Sequence, residues 1–122
     1  MYKRQAYDVI LFDGEATTLV DWDVGGGAPD PFVVVTVGDD DCKSSTQSDN
    51  FFPVWDEQCS EVVIPNGSQL TIEVFDEDMS DHDPMLVFEA NGDDDIADVI
   101  RDNRVSVSSD LFRLDFEVQP SF

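Results

Sequence analysis

Gln69-Leu70-Thr71-Ile72-Glu73-Val74-Phe75-Asp76-Glu77-Asp78 is the stretch from which the rest of the chain is read. Leu70, Ile72 and Val74 recur at every second position, the period of a β-strand that turns one face to a core. The strand Gln69–Phe75 then runs out into an acidic loop carrying Asp76, Asp78, Asp81 and Asp83. A second strand of the same kind, Phe32–Val37, is preceded by a loop carrying Asp21, Asp23 and Asp30. With these strand ends side by side, the loops gather about five carboxylates around one point, a charge density that a hard multivalent cation relieves. Ca²⁺ is the cation such oxygen donors suit best.

Outward from these two strands the same period and the same Gly/Pro/Asn/Asp punctuation recur, and no window of a dozen residues carries a helical apolar stripe. Strands are predicted at Tyr7–Phe12, Phe32–Val37, Cys42–Ser48, Gln58–Ile64, Gln69–Phe75, Met85–Phe88, Arg104–Val107 and Phe112–Val118. Many short strands between turn signals make an all-β sandwich. Pro65-Asn66-Gly67 reads as a tight turn that makes Gln58–Ile64 and Gln69–Phe75 consecutive neighbours. Asn91–Asp95 reads as an acidic turn, followed by a short helix at Ile96–Arg101. The connector Asp13–Pro31 is long, and Gly25-Gly26-Gly27 gives its backbone conformations that a Cβ forbids.

A chain of 122 residues, 41% hydrophobic, supports one core, and a single domain is expected over residues 7–119. Nine Phe, two Trp and two Tyr argue against disorder despite the charge. Six Lys plus Arg against 28 Asp plus Glu give a net charge of −22, which argues against nucleic acid and against unaided attraction to an anionic bilayer. Part of that acidity serves solvation alone, as at high salt. No apolar run approaches the roughly 20 residues of a membrane span. Met1-Tyr2-Lys3-Arg4 is not followed by the apolar core of a secretory signal, so the chain is expected to be cytosolic, or a mature or excised piece of something longer. Cys42 and Cys59 flank Asn50/Phe51 symmetrically, in a stretch that reads as the turn between two antiparallel strands, which would make them cross-strand neighbours. Two readings stay open: a disulfide, with an oxidising setting, or two half-buried thiols.

Three blocks stand out: Ala28-Pro29-Asp30-Pro31-Phe32-Val33-Val34-Val35, the stretch from Thr46 to Phe52-Pro53-Val54-Trp55-Asp56-Glu57, and Leu70 to Asp78. Together they resemble the C2 domain family: the first is similar to the segment that follows that family's first loop, the second to its "NPVWNE" segment and the third to its "L.I.VYD.D" segment. The blocks come in the family's order and cover about Tyr7 to Asp83, whereas Pro84 to Phe122 fits as generic strands. The resemblance implies an eight-stranded antiparallel β-sandwich whose loops at one end bind Ca²⁺. With one strand ahead of the first acidic loop and Phe112–Val118 closing the sheet, it resembles the circularly permuted, type II topology. It places metal ligands at Asp23, Asp30, Asp76, Asp78 and Asp83. Asp21 rivals Asp23, Asp81 rivals Asp83, and Asp49 stands where some members supply an Asn from the middle loop. The Gly-Gly-Gly-Ala-Pro-Asp-Pro-Phe wording and the acidity look like C2 domains of bacterial envelope proteins, which favours an extracytoplasmic or envelope setting over the cytoplasm.

The chemistry points the same way. Asp76 and Asp78, two apart on an extended chain end, face one side and can share an ion. Mg²⁺ serves such a site poorly, because it demands a tight octahedron and sheds water reluctantly. An EF-hand loop counted from Asp76 would need Gly and Glu where Asp81 and Val87 stand. No Gly-x-Ser-x-Gly turn is present, His82 sits between two aspartates inside the loop, and the glycine run leads into Pro29 and a strand rather than a phosphate-binding helix. Trp22, Phe51, Phe52 and Trp55 offer an aromatic platform, but Trp55 falls on a family position normally packed in the fold. The expectation is therefore a non-enzymatic Ca²⁺-binding module that docks on a phospholipid membrane or a protein partner. The alternative is a calcium-stabilised structural or protein-interaction domain without lipid binding. Met79 is a candidate membrane-inserting loop tip, joined by Trp22 or Phe51/Phe52. Two or three Ca²⁺ ions add at most about +6, so any attraction to anionic phospholipid would be local.

Overall fold

A computed structural model describes residues 6–17, 28–38, 40–63, 68–77, 84–101 and 104–120. Among these residues the elements are β1 (Ala6–Ala16), β2 (Pro31–Val37), β3 (Asp40–Lys43), β4 (Val54–Val63), β5 (Gln69–Asp76), β6 (Leu86–Asn91), α1 (Gly92–Arg101), β7 (Arg104–Ser108) and β8 (Phe112–Pro120). They form two four-stranded sheets, ordered β4-β1-β8-β7 and β3-β2-β5-β6, in which every pairing is antiparallel.

Alternation builds the sandwich. Val33, Val35 and Val37 of β2 and Leu70, Ile72 and Val74 of β5 turn inward from one sheet. Val9 and Leu11 of β1 and Phe112, Leu114, Phe116 and Val118 of β8 meet them from the other, and all belong to one buried cluster. Each fully buried side chain of this size contributes about 1.5–3 kcal/mol, so this cluster is the principal source of stability. Period two also carries Asp76 onto the inward face, two positions beyond Val74, where the strand reaches the end of the core and leaves the carboxylate 3% exposed.

Four expectations are corrected. Cys42–Ser48 is a strand only as far as Lys43; residues 44–53 cross from one sheet to the other, so β3 and β4 are not a hairpin. Cys42 and Cys59 are nonetheless joined, with Cα atoms 6.2 Å apart, and their bridge ties edge strands of different sheets. Secondly, β4 pairs with β1 and β5 with β2, so the strands either side of Pro65-Asn66-Gly67 are not neighbours; the turn itself lies outside the described residues. Thirdly, the helix begins at Gly92 rather than Ile96. Asp94 and Asp95 occupy its first turn, where the helix dipole favours negative charge, and Asn91 N donates to Asp95 Oδ2 at 3.0 Å. Lastly, Asn91 ends β6 and Asp94 and Asp95 are helical, so 91–95 is not a loop.

Two devices close the sides of the sandwich. At one side the disulfide links β3 to β4. At the other, α1 connects β6 to β7 and turns Ile96 and Val99 into the core. On the outer face of the first sheet, Arg104 and Arg113 pair with Asp13 and Asp115, and Arg104 covers the Phe12 ring at 4.3 Å.

Candidate metal centre

The register of β2 against β5 fixes the centre. Pro31 lies opposite Asp76 and Phe32 opposite Phe75, so Asp30 and Asp76 emerge at the same end of the sheet. The Asp30 amide donates to Asp76 Oδ1 at 3.0 Å, and the Glu77 amide donates to the Asp30 carbonyl at 3.0 Å. Pro29 and Pro31 on either side are almost fully buried, so the backbone that carries Asp30 is held rigidly.

The segment after β3 supplies a third carboxylate. It runs back along the start of β2 through hydrogen bonds from Ser44 N to Val33 O, Gln47 N to Pro31 O and Asn50 N to Pro29 O, at 2.8–2.9 Å. Asp49, in a left-handed conformation that aspartate tolerates, donates its amide to Asp30 Oδ1 at 2.5 Å and accepts from Ala28 N at 3.0 Å through its own Oδ1. Asp30, Asp49 and Asp76 therefore interlock at one rim, although 19 and 46 residues separate Asp30 from the other two. Asp49, the weakest candidate on sequence, stands beside Asp30; the signal for it is its place four residues before Pro53.

Ala28, which follows segment 18–27, and Glu77, which precedes segment 78–83, are both bonded to this rim. Asp21, Asp23, Asp78, Asp81, Asp83 and Met79, with Trp22 and His82, lie in them and outside the described residues. Among the described residues, no three acidic, histidine or cysteine side chains form a metal-holding group. The donors that do converge are all oxygens, and both cysteines are bonded to each other, so the set fits a hard cation and not a thiolate-seeking one.

The aromatics divide. Trp55 is 5% exposed, with its ring against Phe112 and its Nε1 donating to Ser45 O at 3.0 Å, and so belongs to the core. Phe51 packs partly against the core, whereas Phe52 is 61% and Val54 55% exposed near the rim. An Asn50 side-chain bond to Phe52 N at 2.8 Å holds the turn that presents Phe52.

A family model described as C2 domain matches residues 12–99. No curated protein sequence matches the chain. Among solved structures, human GIVD cytosolic phospholipase A2, in complex with an inhibitor and terbium chloride, is similar with a TM-score of 0.77 and 20% identity over 98% of this chain and 17% of that one. Extended synaptotagmin 2, over its SMP domain and two C2 domains, has a TM-score of 0.71 and 18% identity over 95% of this chain and 27% of that one. A C2 domain of plant extended synaptotagmin 1 has a TM-score of 0.67 and 19% identity over 96% of this chain and 94% of that one. The chain thus spans about a quarter or less of the first two, and at these identities the likeness is one of fold.

Proposed function

Because the chain belongs to the C2 domain family, whose members generally bind Ca²⁺ and lipids or proteins, we propose that it is a non-enzymatic calcium-binding docking module. The observation that supports this reading is the convergence of Asp30 and Asp49, from two loops, and Asp76, from the end of β5, on one end of the sandwich. Asp23, Asp78 and Asp83, with Asp21 and Asp81 as rivals, complete the proposed ligand set from the segments that depart there. Asp76 holds the Asp30 backbone, Asp30 holds Asp49, and Asp49 holds Ala28 at the end of the first acidic segment, so the chain orders its own donors. Bound Ca²⁺ would supply the positive charge that offsets these carboxylates and attracts an anionic group of a partner.

Phospholipid is the first partner proposed, reached through calcium together with Met79 and the exposed Phe52. A protein partner, or calcium as a structural clamp, is the second reading; it is favoured by a net charge of −22, which a few ions leave strongly negative. Thermal melts with Ca²⁺, Mg²⁺ and chelator test the metal, and a melting temperature indifferent to calcium removes it. Co-sedimentation with phosphatidylserine-containing vesicles separates the partners: pelleting only with Ca²⁺ supports lipid, and its absence supports the second reading.

A further inference from the structure

The Cys42–Cys59 bridge connects β3 and β4, which lie in different sheets and share no ladder. β3 is held to β2 by four residue pairs, and beyond Lys43 the chain follows β2 to the rim through the backbone bonds of Ser44, Gln47 and Asn50 and the bond from Val33 N to Ser44 Oγ, with Ser45 also tied to β4 by hydrogen bonds from Trp55 Nε1 and to the Glu57 carboxylate. The bridge fixes the base of this ribbon, and Asp49 is near its tip, bonded to Asp30. A cavity of about 240 Å³ opens beside the bridge, lined by Val35, Val37, Asp40 and Asp41 along with both cysteines, which gives a small reductant a way to the sulfurs.

We propose that the Cys42–Cys59 bridge is a redox device that sets the calcium affinity of the rim, an inference that rests on the calcium reading above. A dithiol thiolate attacks one sulfur, its second thiol then closes the reductant into a cyclic disulfide, and two electrons and two protons pass to Cys42 and Cys59 as thiols. Reduction removes the covalent tie between the sheets and leaves β3 on its short ladder. The ribbon then loses the covalent part of its base and keeps only its hydrogen bonds to β2 and those of Ser45 to β4, so the hold of Asp49 on Asp30 is loosened. By linkage, whatever factor the bridge adds to calcium affinity, calcium adds to the stability of the bridge against reduction. Asp40 and Asp41 at the cavity also slow anionic thiols relative to neutral ones.

The test titrates Ca²⁺ into the full chain, oxidised and dithiothreitol-reduced, and follows both forms by circular dichroism. In parallel it measures the equilibrium of the bridge against dithiothreitol, with and without Ca²⁺. Both forms are expected to keep their β-sheet spectrum, with affinity weakened about fivefold or more on reduction and the bridge equilibrium shifted by the same factor. The Cys42→Ser/Cys59→Ser variant is expected to match the reduced protein. Equal affinities, or a bridge equilibrium indifferent to Ca²⁺, overturn the proposal and leave the calcium reading standing. Loss of the β-sheet spectrum on reduction overturns it too, since the bridge would then hold the whole fold. Failure of the oxidised protein to bind Ca²⁺ removes the calcium reading, and the proposal with it.

Discussion

Gly14 sits where β1 packs tightly against β8: a Cβ there would lie 2.5 Å from Phe112 Cε1 and 2.7 Å from the Arg113 carbonyl oxygen. Gly14→Ala is expected to destabilise the fold by about 1–3 kcal/mol through overpacking, seen as a lower urea midpoint. A midpoint equal to wild type would mean that the Phe112 ring moves aside without cost. Asp76→Asn keeps an oxygen that accepts from Asp30 N while removing the charge. It should leave the calcium-free melting temperature close to wild type and abolish any calcium-dependent rise; a full rise in this variant would take Asp76 out of the ligand set. Asp115 behaves differently. Burial pulls its carboxyl upward, but the Ser106 hydrogen bond, the Arg113 charge and the hydrogen bonds from Arg104 and Arg113 outweigh that and hold it below the usual aspartate range. A carboxyl lowered by folding stabilises above its unfolded value, and that contribution disappears as pH falls through the folded value. Arg113→Gln is expected to raise the Asp115 titration midpoint in carboxyl carbon NMR, and an unmoved midpoint would contradict this assignment.

At the scale of elements, α1 and the disulfide cover opposite sides of the sandwich. Ile96 is buried in the core cluster, so Ile96→Ala is expected to cost about 2–5 kcal/mol, read by calorimetric unfolding; a loss within experimental error would mean that the helix rests on the sandwich without sealing it. The elements also show what a sequence reveals. The strand around Leu70, Ile72 and Val74 is legible because period two is a local property, and the structure extends it by a single residue, to Asp76. The partner of β4 was not legible, because a turn signal such as Pro65-Asn66-Gly67 does not tell to which sheet each flanking strand belongs. The start of α1 was hidden because its aspartates serve equally in a turn and in the first turn of a helix. The spacing of Cys42 and Cys59 was consistent with their proximity but not with its cause, which is two edge strands facing each other across the core. Asp30 and Asp76 were legible as rim residues because each adjoins a strongly alternating strand, whereas Asp49 is placed by backbone bonds to Pro29 and Pro31 that no local pattern announces.

At the scale of the molecule, a net charge of −22 on 122 residues makes self-repulsion a general opponent of the compact state. Raising NaCl to about 0.5 M should therefore raise the melting temperature of the calcium-free protein by screening, and a flat response would show that the charges are already too far apart to matter. Calcium should act beyond screening, because carboxylates from segments distant in the chain meet only in the folded state and an ion held by them stabilises that state by mass action. The most direct measurement is a calorimetric titration of Ca²⁺ into the oxidised chain at physiological ionic strength, run beside an Asp30→Asn/Asp76→Asn variant. Saturable heat in the wild type that vanishes in the variant is the predicted result; no heat in the wild type, or the same heat in both, would contradict it.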